Sequence, residues 1–166
     1  MPIRDTLLPE YDHEMGTTRR VLERTPEAEF AWKPHEKSMS LGQLAGHLSN
    51  IPYWCSATLA GSSFDLATAG KEAQLGMPES TAEILANFDR QVAEARALLA
   101  AASDEDLLGP WTLKHGSHEI FTMPRVGAIR SFVMNHLIHH RGQYTVYLRL
   151  KNVPLPRIYG PTADEQ

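Results

Sequence analysis

Four stretches of the chain, each roughly 18 to 28 residues long, repeat apolar side chains every three or four positions. That spacing lays one apolar stripe along a helix, and a stripe is stable only when another element covers it. The first stretch runs from about Thr6 to Arg24, with Leu8, Tyr11, Met15, Thr18 and Leu22 on one face. Pro9 falls in its first turn, where a missing N–H is tolerated, and Thr25-Pro26 ends it. The second opens at Ser40, which has capping-box spacing with Gln43, and continues through Leu44, Leu48, Ile51 and Cys55. Pro52 predicts a kink, because its ring removes a hydrogen bond to Leu48. This stretch stops near Gly61, and a Gly/Ser/Ala loop follows to about Met77.

A second capping box, Ser80 to Glu83, starts the third stretch, whose stripe is Ile84, Phe88, Val92, Ala95 and Leu99 and whose end is Ser103-Asp104. The fourth begins around Pro124, passes through Val126, Ile129, Val133, Leu137, Tyr144 and Leu148, and ends before Pro154. Between the last two, residues 111–122 lose the helical period. Trp111-Thr112-Leu113 and Ile120-Phe121-Thr122 flank His115-Gly116-Ser117, which predicts a short β-hairpin. The tail from Pro154 to Gln166 reads as irregular. The expected fold is all-α: a four-helix bundle filling residues 1–166 as a single domain, with a hairpin between helices three and four.

Several function classes drop out on composition. The net charge is −4 and no stretch is strongly basic, so the phosphate-neutralising footprint of a nucleic-acid binder is missing. No apolar run is long enough to span a bilayer, and Met1-Pro2-Ile3-Arg4-Asp5 lacks a signal peptide's apolar core. Cys55 is the sole cysteine, which excludes an internal disulfide. The expectation is a cytoplasmic protein with neither nucleic-acid nor membrane partner.

Eight histidines stand against 16 Lys and Arg, and three of the eight crowd into Asn135-His136-Leu137-Ile138-His139-His140. On a helix turning 100° per residue with His136 at zero, the apolar stripe covers about 20° to 120°. His140 then lies at about 40°, inside the stripe, His136 at its edge, and His139 at about −60°, off it. Two imidazoles pointing into an apolar interior need partners for their nitrogens, and a divalent ion chelated by an i, i+4 pair is one such partner. Ordinary hydrogen bonds are the other. A third ligand would come from a facing helix, where His47 shares its side with Leu44, Ile51 and Trp54. Three neutral imidazoles leave coordination positions open, as a reactive site requires. The metalloprotease motif HExxH is excluded, since Leu137 occupies the glutamate position.

Two segments resemble the DinB/YfiT-like family. One is Trp32-Lys33-Pro34-His35-Glu36-Lys37-Ser38-Met39-Ser40-Leu41-Gly42-Gln43-Leu44-Ala45-Gly46-His47-Leu48, which is similar to the family's approach to its second helix. The other is Asn135 to Gln143, followed by Leu148-Arg149-Leu150, Pro154 and Ile158-Tyr159-Gly160-Pro161, which looks like the fourth helix and tail. The resemblance implies up-down-down-up connectivity, a homodimer, and nickel or zinc held by His47, His136 and His140. It further implies a small-molecule substrate and, for some members, a low-molecular-weight thiol such as bacillithiol, mycothiol or glutathione.

The expected reaction is attack of a metal-activated thiolate on a small electrophile, an S-transferase chemistry. Metal-dependent hydrolysis is the alternative, and a non-catalytic metal-binding role in stress is a third. Cys55 is too far from His47 along a helix, roughly 12 Å, to share the ion, and reads as a small core residue. Lesser candidates are Asn50 to orient a ligand, Arg130 and Arg141 to hold an anion, and His13 and Glu14 as outer contacts of the site. Trp54 and Trp111 read as core or pocket wall.

Overall fold

The computed structural model describes residues 1–70 and 76–166. Helix α1 (Ile3–Leu22) begins earlier than its apolar period suggests, because Asp104 Oδ1 accepts from the Ile3 N–H at 2.7 Å and satisfies one orphan donor of the first turn. Pro9 therefore lies within the helix rather than in its first turn. Leu7, Tyr11, Met15, Thr18 and Leu22 are buried, and Glu14 is buried on the same face.

Helix α2 (Leu41–Asn50) opens on the expected box: Ser40 Oγ accepts from Gln43 N–H at 3.2 Å, and Gln43 Oε1 accepts from Ser40 N–H at 2.8 Å. Ile51-Pro52 then interrupts the chain, which resumes as α3 (Tyr53–Ala60). The proline read as a kink divides the stretch in two. The carbonyls at the end of α3 are taken up from far away in sequence, by Arg125, whose guanidinium donates to Thr58 O at 3.1 Å and Gly61 O at 2.8 Å. Helix α4 (Thr81–Ala101) has half of its predicted box: Ser80 Oγ accepts from Glu83 N–H at 3.1 Å, while the Glu83 carboxylate reaches past it to Glu79 N–H at 2.6 Å. Ser103-Asp104, read as the end of this helix, instead opens a short one, α5 (Asp104–Leu108), capped reciprocally by Ser103 and Asp106.

Strand β1 (Ser63–Asp65) pairs in parallel with β2 (Pro110–His115), and β2 pairs antiparallel with β3 (His118–Pro124) across a turn where Gly116 has φ +60°. The predicted hairpin is β2–β3, with Trp111 opposite Met123 and Thr112 Oγ1 bonded to Thr122 Oγ1 at 2.7 Å. The order β1-β2-β3 makes it a mixed three-stranded sheet. The all-α expectation, a four-helix bundle with an up-down-down-up course and an appended hairpin, is thereby corrected to a mixed α/β architecture. The cause is physical: β1 is three residues long, too short to show an alternation, and is defined only by the backbone of a strand distant in sequence. Trp111 and Leu113 turn the inner face of β2 into the common core.

The last helical run comprises α6 (Arg125–Ala128), a π-helical turn (Ile129–Met134) and α7 (Asn135–Leu150). The predicted stripe is buried at Ile129, Val133, Leu137, Tyr144 and Leu148, and half-buried at Val126. Asn152, with φ 57°, ends the run, and Val153 N–H returns to Leu148 O at 3.0 Å. Helix α4 packs against α1, α2 and α3, and α7 against α1 and α2. No described helix is long and apolar enough to cross a membrane.

Candidate metal centre

Helix α2 carries His47, and α7 carries His136 and His140 one turn apart on the side facing it. Their ring centroids lie 5.0 Å (His47–His136), 4.6 Å (His47–His140) and 4.7 Å (His136–His140) apart. One ligand-capable nitrogen from each comes within 4.8 Å of the others. The sequence-derived triad is therefore assembled in space, from two helices. His139 stays outside it, exposed, with its ring 4.9 Å from that of His140, as its angle on the helix predicted.

The donor set fits a divalent cation. His47 Nε2 and His136 Nε2 are 3.1 Å apart, close to the roughly 3.3 Å edge of a tetrahedron of nitrogens about zinc. His136 Nδ1 is buried and makes no hydrogen bond of ordinary geometry, the Phe132 carbonyl being the acceptor it leans toward. His140 is better held: its Nδ1 lies 2.8 Å from Gln143 Oε1, so Nδ1 is the donor and Nε2 keeps its lone pair for a ligand. Burial first, then His140 and His136 as neighbouring charges, push the His47 pKa down to about 4. Burial and the neighbouring imidazoles likewise lower His136 and His140, with the Phe132 carbonyl and Gln143 pulling the other way. All three are thus neutral at pH 7, the state in which imidazole binds metal.

Beside the triad lies a cavity of about 550 Å³, walled by Ile51, Trp54, Leu113 and Phe132, with His47 and His136 on its polar side. Trp54 is wall, as read from sequence, whereas Trp111 is wholly buried in the core beneath. Asn50 also lines the cavity and is buried. Cys55 is fully buried, its thiol pushed up to about 12 by desolvation, and plays no part at the centre.

The remaining polar candidates go elsewhere. Arg130 pairs with Glu10 at the surface. Arg141 is buried and bonded to Glu14 Oε2 at 2.6 Å, to the Glu14 carbonyl at 3.1 Å, and to Thr18 Oγ1 at 3.2 Å. Tyr159 closes this cluster, accepting from Arg141 at 2.7 Å and donating to the Glu14 carboxylate at 3.0 Å. His13 stacks on the Tyr159 ring and does not reach the triad. Arg141 is thus an internal tie between α1, α7 and the tail rather than an anion site. Its angle of about 140°, just past the apolar stripe, was the available signal. Gln143 was missed too; its position three residues after His140 on one helix would have suggested it.

A family model described as the DinB superfamily matches residues 10–144. The chain belongs to the DinB superfamily. YrdA, an uncharacterized protein of Bacillus subtilis (strain 168), is 25% identical over 163 residues, covering 97% of this chain and 90% of its own. The crystal structure of a DinB-like protein from Bacillus cereus ATCC 10987 superposes with a TM-score of 0.75 at 22% identity, covering 95% of this chain and 98% of that one. A second DinB-like protein, YjoA from Bacillus subtilis, gives 0.70 at 17% identity over 95% and 99% of the two chains. These two likenesses establish the DinB-like fold.

Proposed function

We propose that this protein is a metal-dependent S-transferase that joins a low-molecular-weight thiol to a small electrophile. The observation that carries the reading is an open set of three neutral imidazoles at the side of a cavity large enough for a small molecule. Among the described residues no fourth His, Cys, Asp or Glu completes the set, which suits a reactive centre better than a sealed structural one. Nickel or zinc is the proposed ion, both being well matched to imidazole. Held there, it would lower the pKa of a thiol and present a thiolate at neutral pH.

The chain's own residues supply the rest. His47, His136 and His140 bind as neutral donors, and Gln143 fixes His140 in the tautomer with Nε2 free. Trp54 and Phe132 exclude water and hold the electrophile against the centre. With an aryl halide, a carbon–sulfur bond forms as the carbon–halogen bond breaks; the halide leaves with the electron pair and the thiol proton passes to solvent. A homodimer belongs to the same proposal, and sedimentation of the purified chain checks it.

Elemental analysis of the purified protein tests the centre first, and one nickel or zinc per chain is the expected result. His140→Ala should remove it; an ion that stays bound refutes the ligand set. Turnover of 1-chloro-2,4-dinitrobenzene with bacillithiol, mycothiol or glutathione then tests the reaction. Consumption that requires metal but no thiol would point to hydrolysis instead. A large chelator-induced fall in melting temperature with no turnover would assign the ion a structural role.

A further inference from the structure

We infer that the electrophile taken by this cavity is a neutral aromatic molecule, without a carboxylate, phosphate or sulfonate. The inference rests on the proposed transferase reading for the word electrophile, and on the cavity alone for the rest. Among the described residues that line it, none is Lys, Arg, Asp or Glu. Three arginines of the surrounding helices are committed elsewhere: Arg141 to Glu14 in the interior, Arg130 to Glu10, and Arg125 to the carbonyls of Thr58 and Gly61. A carboxylate in this volume would lose its hydration without gaining a cationic partner from the described residues of the lining.

A metal held by the triad would attract a carboxylate as well as a thiolate, but in the proposed reaction the thiolate would occupy that position, which leaves the walls to select the electrophile. What the walls do offer is aromatic surface. Trp54 and Phe132 meet edge to face with centroids 5.3 Å apart, and Phe64 meets Trp54 at 4.9 Å. An edge-to-face pair leaves ring faces and edges available, and a third ring packing on them gains stacking energy beyond its buried area. Ile51 and Leu113 complete the apolar wall, and Met39, 40% exposed, stands at the mouth.

Methyl 2-naphthoate and 2-naphthoate share a ring system and differ in charge, so the pair reads the inference directly. Isothermal titration of both into the full chain, before and after chelation, gives the comparison; chelation removes carboxylate–metal binding from the result. The ester should bind the metal-free protein at least about tenfold more tightly than the acid. Trp54→Ala should weaken ester binding about tenfold or more. Met39→Arg, at a lining position that is 40% exposed, should raise the acid's affinity toward that of the ester.

Equal binding of acid and ester to the metal-free chain, or binding of neither, overturns the inference. So does an ester affinity unchanged in Trp54→Ala and an acid affinity unchanged in Met39→Arg. None of these titrations requires metal, thiol or turnover. Failure of the transferase reading therefore appears separately, as missing metal or missing product.

Discussion

Replacing Arg141 with Met should cost this protein far more stability than activity. Both charged side chains of the Arg141–Glu14 pair are nearly inaccessible, at 2% and 7% exposure, so solvent screening offers no discount. The substitution keeps much of the volume and the apolar stem, but leaves the Glu14 carboxylate buried with the Tyr159 hydroxyl as its remaining donor. It also strips donors from the Glu14 carbonyl and from Thr18 Oγ1. Removing one member of a buried pair costs about 3–5 kcal/mol, and the second-hand losses here argue for the upper half. In a chain of this length each kcal/mol moves the midpoint by about 2–4 °C, so the expected fall is roughly 8–20 °C.

Glu14→Leu combined with Arg141→Met removes both charges together, and should recover a good part of that loss, with a coupling energy of about 2 kcal/mol or more. The assay is thermal and urea denaturation of the chelated protein, with metal content measured on the same preparations. Arg141 points toward α1 and the tail, about 100° around α7 from His140, and touches none of the triad, so the metal content of the folded variants should not change. A variant that melts within about 2 °C of the parent, while losing metal or substrate affinity, would refute the assignment and return Arg141 to the anion-binding role first read from sequence.

Three further outcomes follow from the same geometry. Gln143→Leu leaves His140 Nδ1 without its acceptor and should weaken metal binding about 10- to 100-fold by competition with a chelating dye, whereas Gln143→Glu should retain affinity. The metal-free protein should lose stability as pH falls from about 6.5 toward 4: the unfolded chain binds protons in that window that His47, held near 4, refuses, so its contribution is complete above the window and is lost through it. Chemical denaturation at pH 7.5, 6 and 5 reads the slope, and stability rising on acidification would contradict it. Gly116→Ala should cost about 1 kcal/mol, because the turn between β2 and β3 holds φ at +60° with open space around the missing Cβ; an unchanged midpoint would show that the turn relaxes.

Much of the local structure is written along the chain. The Ser40–Gln43 box, the stripe from Ile129 to Leu148 and the turn at Gly116 each depend on residues a few positions apart, and each forms as read. His139 could be set aside for the same reason, since a helix fixes the angle between neighbours. The reading failed where a distant segment supplies the partner. Asp104 extends α1 by capping Ile3, and Arg125 finishes α3; neither carries a local signal. Arg141 failed differently, because a charged residue at the margin of an apolar stripe reads as free to hold an anion until its counter-ion is seen on another helix.

The sequence alone picked out the candidate ligands: two histidines one turn apart, a third on another amphipathic stretch, and it set aside the lone thiol as a core residue. Only the tertiary structure decided that the three rings meet, that a β1 of three residues turns a hairpin into a mixed sheet, and that an aromatic cavity opens beside the imidazoles. Periodicity records which side chains share a face, a property of neighbours in the chain. Which faces come together depends on how distant segments pack and satisfy one another's polar groups, and no short window contains that information.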